Sequence, residues 1–319
     1  MFFALLVTLV ARDAPAQLAE ADAGASAVQY GEPRAGRFRV GAEITASRGA
    51  CRAIRAMVAV PLECPEQSVR IVKEEFSPDV ESVSYRDLQG GARQMLITVP
   101  RLADGATATA VVTFEVVTRP ILPPSDAVTA GLKIPRSTPR DLRKYVTVSP
   151  FIQSRDSKFR SWSRELLAGL TDEASDWQRV EAFYDAMLEK IEYAEGVDKS
   201  ALETLRDGQA DCFGRSAVFI ALCRAAGVPA RAVWVQDHCY AEFYLEDEEG
   251  EGAWFPAESA GTRAFGEMPL ARTIMQKGDN FRIPERPKDR LFYATDFLVG
   301  LPMPGSGKPS VKYIREPVN

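Results

Sequence analysis

What most constrains this chain is a change of hydrophobic period across a proline-rich stretch. Pro120, Pro123, Pro124, Pro135 and Pro139 keep residues 120–150 extended, because each fixes φ and withholds an N–H. Ahead of that linker the apolar residues come in short runs, mostly rich in β-branched side chains. They are Phe38 to Val40, Ala56 to Val60, Val69 to Val72, Gln94 to Val99 and Ala110 to Val117. Gly90-Gly91 and Asp104-Gly105 supply turns between several of them, and Pro61 ends the second. Short strands at this spacing predict a β-sandwich over 37–119. No residue in it asks for chemistry, so its expected role is structural or binding.

Beyond the linker the period becomes helical. Trp177, Val180, Phe183, Tyr184, Met187, Leu188 and Ile191 recur on one face with charges between them. Asp172, Glu173 and Asp176 are expected in the first turn, where the helix dipole favours acids, and the helix is expected to end near Tyr193. A second helix should follow Cys212 and run to Ala226, where Gly227-Val228-Pro229 stops it. Strands then follow at Ala230 to Val235 and His238 to Leu245, with an acidic turn leading into Ala253-Trp254-Phe255-Pro256. Helices first and antiparallel strands second make residues 151–300 an α+β domain. Residues 301–319 are expected to be a C-terminal tail.

The net charge of −5 gives no electrostatic grip on nucleic acid. Residues 2–10 form an apolar run too short to span a bilayer, followed by Ala14-Pro15-Ala16, a small-x-small cleavage pattern. The expectation is a signal peptide over 1–16, an alanine-, glycine- and charge-rich segment over 17–36, and export to the periplasm or the extracellular space. No later stretch is apolar enough for stable membrane insertion. There are five cysteines. In an exported protein Cys51 and Cys64 are candidates for a disulfide, although spacing alone does not give connectivity, and an odd count leaves at least one thiol free.

That free thiol has an obvious candidate. Cys212 stands in Gly208-Gln209-Ala210-Asp211-Cys212-Phe213-Gly214-Arg215-Ser216, at the start of the second helix. The dipole and the unpaired N–H groups of a helix N-terminus favour thiolate, the nucleophilic form. The same N–H groups can hold the oxyanion formed when a carbonyl is attacked. A thiol nucleophile needs a base near neutrality, and His238 is the one histidine in the chain. On a strand from 238 onward, His238, Tyr240, Glu242 and Tyr244 share a face and Cys239 takes the other. A third group that accepts the second imidazole N–H fixes the tautomer. Glu258, just past the next strand, is the candidate.

Asp211-Cys212-Phe213-Gly214-Arg215-Ser216 through Arg224-Ala225-Ala226-Gly227-Val228-Pro229-Ala230-Arg231 resembles the core motif of the transglutaminase-like superfamily, a papain-like cysteine-enzyme core. The family's second motif, His-x-aromatic-x-Glu, is matched by His238-Cys239-Tyr240-Ala241-Glu242. Its third, aromatic-x-Pro-x-Asp, is matched by Trp254-Phe255-Pro256-Ala257-Glu258, with Glu in place of Asp; Ala210 stands where the family often has Gly. The resemblance spans roughly 140–265 and implies that 151–300 is the catalytic domain, with Cys212, His238 and Glu258 as its catalytic residues. It implies acyl transfer through a thioester on a protein or peptide substrate, with hydrolysis of peptide or carboxamide bonds favoured over glutamine–lysine crosslinking. No EF-hand loop is present, and no cofactor is expected. Two other classes fit the residues less well. A zinc site from Cys212, Cys223, His238 and Cys239 lacks the short Cys-x₂₋₄-Cys knuckle. A non-catalytic binding scaffold leaves the cysteine–histidine pair without a purpose.

Overall fold

A computed structural model describes residues 27–196 and 198–318. The expected signal peptide and the first half of the segment after it, residues 17–26, lie outside the described residues. Two antiparallel sheets organise the molecule. The smaller has four strands, in the order Ser310–Val318, Arg34–Thr45, Thr107–Thr118, Gln67–Phe76. The larger has eight. It runs Gly252–Ala257, His238–Glu246, Ala230–Val235, Ile274–Lys277, Ala92–Leu102, Cys51–Val60, Phe297–Pro302, with Ser82–Leu88 also paired to Ala92–Leu102.

The sandwich follows from period-two patterning. Phe38, Val40, Ala42 and Ile44 from one sheet face Ile54, Ala56, Val58 and Val60 from the other, with Met95, Ile97, Val112 and Phe114 closing the same core. All five expected strand runs fall inside these strands, which extend further than expected in most cases. Ser82–Leu88 was not foreseen, since Ser82-Val83-Ser84-Tyr85 and the polar residues after it carry no apolar run.

The sandwich is not built from 37–119 alone. The segment expected as a tail contains the strand Ser310–Val318, paired residue by residue with Arg37–Thr45, and Phe297–Pro302 pairs with Cys51–Met57. Alternation is visible in Val311-Lys312-Tyr313, whose apolar members pack on the sandwich core. The linker also holds local structure: a short helix at Asp126–Gly131 and a 3₁₀ turn at Arg143–Val146. Cys51 and Cys64 are both free. Cys51 opens a strand that ends at Val60, and Cys64 lies beyond that far end. Ten residues of strand put them roughly 30 Å apart, far outside disulfide reach.

On the other face of the large sheet the helices surround a buried one, Cys212–Ala225, in which every residue from Phe213 to Arg224 is buried. Its hydrophobicity runs all round, as befits a central helix. Ser157–Ala168, Asp176–Lys190 and Ala201–Asp207 pack around it. The amphipathic helix starts at Asp176, not at Asp172. Ser175 caps it reciprocally, its Oγ accepting from Gln178 N–H at 3.2 Å while Gln178 Oε1 accepts from Ser175 N–H at 2.9 Å. A capping box satisfies two N–H groups directly, and that outranks the weaker dipole preference of Asp172 and Glu173.

Candidate active site

The site is assembled where the Cys212 helix meets the open end of the large sheet. Asp211 is the N-cap: its carboxylate accepts from Gly214 N–H at 2.9 Å and its carbonyl from Arg215 N–H at 3.1 Å. The N–H groups of Cys212 and Phe213 lie ahead of the first helical bond and point from the positive end of the dipole. Gly214 lets this helix approach its neighbour. A Cβ there would stand 2.5 Å from Ala210 Cβ and 2.7 Å from Thr204 Oγ1. The pairing of Ala210 with Tyr193 then fixes the chain on the other side of the thiol.

His238 comes from the sheet. Val235 and His238 are the last pair of a hairpin whose loop is Gln236-Asp237, and Asp237 takes φ +54°, which aspartate tolerates. The adjacent edge strand pairs Ala241 with Ala257. Continued by one step, that register sets Glu258 opposite Tyr240 and diagonal to His238, within reach of a long carboxylate side chain. His238 Nε2 lies 2.8 Å from Glu258 Oε1 and 3.0 Å from Oε2. Cys212 is the ring's other hydrogen-bonding partner, which leaves Nδ1 for the thiol. The three candidate residues therefore meet, with the imidazole between sulfur and carboxylate.

The electrostatics follow from that placement. Burial alone would push the His238 imidazole down, but hydrogen bonds to Cys212 and Glu258, with the charges of those two groups, hold it up at about 9. Burial pushes the Cys223 and Cys239 thiols well above the ordinary range. Cys212 is half-buried, whereas those two are enclosed.

Four residues that support the constellation were not singled out from the sequence. Ser259 Oγ donates to the Cys212 carbonyl at 2.9 Å and lies 2.7 Å from Ser216 Oγ, so Ser216 is the donor in that pair. This ties the nucleophile's helix to the residue after Glu258. Tyr184 Oη donates to the Glu258 carbonyl at 2.6 Å and accepts from Ala264 N–H at 3.2 Å, and the Glu258 carboxylate also accepts from Ala260 N–H at 3.0 Å. Tyr184 appeared in the sequence only as one of the apolar-periodic helix residues. Gly214 completes the group through the close approach given above. Phe213 is fixed by Trp234, stacked at 5.0 Å between centroids, and by Phe292 at 5.0 Å.

Glu242, the acid of the His-x-aromatic-x-Glu pattern, lies elsewhere. It is buried between Lys277 and Arg231, each at 2.7 Å, and Lys277 also pairs with Glu66 from the sandwich half. It braces the sheet and does not touch the imidazole.

A family model described as the transglutaminase-like superfamily matches residues 160–259, a span that opens in the first helix of this half and closes at Ser259. Residues 160–259 are a transglutaminase-like domain. Around it, the whole fold is similar to a crystal structure from Cytophaga hutchinsonii described as a "putative cysteine protease", with TM-score 0.58 and 17% identity, covering 91% of this chain and 92% of that one. A structure from Parabacteroides distasonis described as a "putative protease" matches at TM-score 0.29 and 11% identity over 73% of this chain and 48% of that one, too distant to inform the fold. No curated protein matches the chain. The strands before and after the transglutaminase-like domain thus belong to an arrangement seen with it in another protein.

Proposed function

We propose that the chain is a cysteine-dependent acyl-transfer enzyme that hydrolyses peptide or carboxamide bonds. The observation that carries this reading is the His238 ring held between Cys212 and Glu258, whose carboxylate contacts Nε2 at 2.8 Å. Cys212 Sγ attacks the carbonyl carbon, and the oxyanion is held by the N–H groups at the helix start. His238 carries the thiol proton to the leaving nitrogen as the C–N bond breaks, releasing an amine and leaving a thioester. A water molecule, deprotonated by the same imidazole, attacks the thioester carbon and frees the acid and the thiol. Glu258 keeps the ring in the tautomer and orientation that both steps use, and it stabilises the imidazolium formed between them.

Hydrolysis is favoured over crosslinking because Cys212 is half-buried beside Tyr193, itself 43% exposed, so water has direct access to a thioester there. The Cytophaga hutchinsonii protein's description points the same way. Mass spectrometry of a peptide library incubated with the protein, with and without an added primary amine, separates the outcomes. Cleavage or deamidation in both arms is expected; amine incorporation as the main product would make the chain a crosslinker. No product, or the same products from Cys212→Ala, would refute the enzyme.

A further inference from the structure

The Cys212 helix carries a second group that the chemistry above leaves unused. Arg215 follows the thiol at a spacing that brings both to neighbouring positions on the helix surface. It is only 7% exposed, and its Nε–H is fully buried with no acceptor. Among the described residues its guanidinium makes no ion pair. The other deeply buried cations are paired: Arg224 binds Asp279 at 2.7 Å, and Lys277 lies between Glu66 and Glu242. A cation taken out of water without a partner is costly, and arginine cannot avoid the cost by releasing its proton.

The neighbouring acceptors are committed to other partners. Its electrostatic neighbours are Tyr184, Glu258 and Tyr193. The Tyr184 hydroxyl is engaged with Glu258 O and Ala264 N–H, and the Glu258 carboxylate with His238 and Ala260 N–H. Asp211 caps the helix through Gly214 N–H. Tyr193 is the exposed neighbour, and it stands within electrostatic reach of both the Cys212 thiol and the guanidinium. The thiol, the guanidinium and the exposed Tyr193 ring are therefore neighbours at the start of the Cys212 helix.

We infer that Arg215 is the anion-binding residue of this site, holding a substrate carboxylate beside the reacting thiol. The inference rests on the cysteine-enzyme reading and deepens it: substrates are those with a free carboxylate close to the scissile bond. Arginine's planar fork matches a carboxylate with two parallel hydrogen bonds. The carboxylate comes from a chain terminus or from an acidic side chain, and the same experiment tells these apart.

Three alkylating probes suffice: N-iodoacetyl-glycine (terminal carboxylate), N-iodoacetyl-aspartic α-amide (side-chain carboxylate) and N-iodoacetyl-glycinamide (none). For each, the saturation constant and the maximal rate of Cys212 alkylation are measured separately. In the wild type, at least one acid should saturate at about tenfold lower concentration than the amide, the order expected for a charge-assisted bidentate pair. Whichever acid does so identifies the source. Arg215→Gln should remove that gap by raising the acid's saturation constant alone, and Arg215→Lys should restore part of it. Equal saturation by all three probes in the wild type overturns the inference, and that arm needs no folded variant. So does an Arg215→Gln variant that lowers the maximal rate equally for every probe, since that is the signature of a residue acting through Glu258. Failure of all three probes to label Cys212 overturns the enzyme reading itself, and the subsite with it.

Discussion

A single histidine gives a single imidazole signal, so the protonation of His238 can be followed by NMR without assignment. Its titration midpoint is expected at about 9, and Glu258→Gln should move it down, because the variant loses a carboxylate's charge while keeping its shape. The sign for stability follows. A folded value near 9 against an ordinary 6.5 means that the native state binds the extra proton between those limits. The stabilisation is complete below about 6.5 and is lost as pH rises through about 9, so melting of wild type and Glu258→Gln should differ more at pH 6 than at pH 10. A midpoint near 6.5 in the wild type would contradict the geometry. Turnover of Glu258→Gln should fall by roughly 10³–10⁴-fold, as when the orienting acid of a triad is neutralised. A thiol reagent near pH 6 should modify Cys212 ahead of Cys223 and Cys239, whose burial opposes thiolate. Peptide mapping of the labelled protein checks this; equal labelling of the three would remove the argument for a special thiol. The meeting of Cys212, His238 and Glu258 was legible in the sequence because histidine occurs once and a hairpin register links 238 to 258. Arg215 was not, since nothing in a sequence says that an arginine on an apolar helix will find no acceptor.

At the scale of elements, two contacts hold the nucleophile's helix against the sheet and the neighbouring helix. Ser259→Ala removes the donor to the Cys212 carbonyl and strands the buried Ser216 hydroxyl. A cost of about 1–3 kcal/mol in urea unfolding is expected, with a loss of turnover beyond that of an equally destabilised surface variant. Gly214→Ala forces a Cβ against Ala210 and Thr204. Overpacking of that kind costs about 1–3 kcal/mol, and wild-type stability in Gly214→Ala would show that the two helices separate freely. Residues like these are opaque in sequence. Serine and glycine are common, and their importance here comes from a strand end and a helix brought close by the tertiary fold. The boundaries that sequence reading placed well are those with local chemistry, such as Gly227-Val228-Pro229 after the Cys212 helix. The helix start it misplaced, at Asp172, had two local signals in competition. Ser157–Ala168 escaped because its only buried residues are Phe159 and Ser163, too few for a periodic stripe.

Across the whole molecule the two halves share one sheet. The large sheet passes from the transglutaminase-like domain into the sandwich through the pairing of Gln276 with Ala92, and beside that junction Lys277 is buried between Glu242 and Glu66. Glu66→Ala leaves Lys277 one carboxylate short and should cost about 3 kcal/mol, read as a shift of a single cooperative unfolding transition. Two separate transitions would mean that the halves unfold independently. What sequence reading lacked at this scale was the return of the chain: a strand of nine residues after Pro309 has no local sign of the partner it will choose. That return also dictates an order of events during synthesis. Ser310 bonds Thr45 at a sequence separation of 265 residues, so Arg34–Thr45 keeps one edge open until Ser310–Val318 has been made. The helices around Cys212 depend largely on contacts within their own half and can close earlier, whereas long-range pairing is slow and an unpaired strand edge is adhesive. The helices that carry the thiol can therefore be in place before Ser310–Val318 closes the sandwich, and that strand covers an edge that would otherwise invite aggregation.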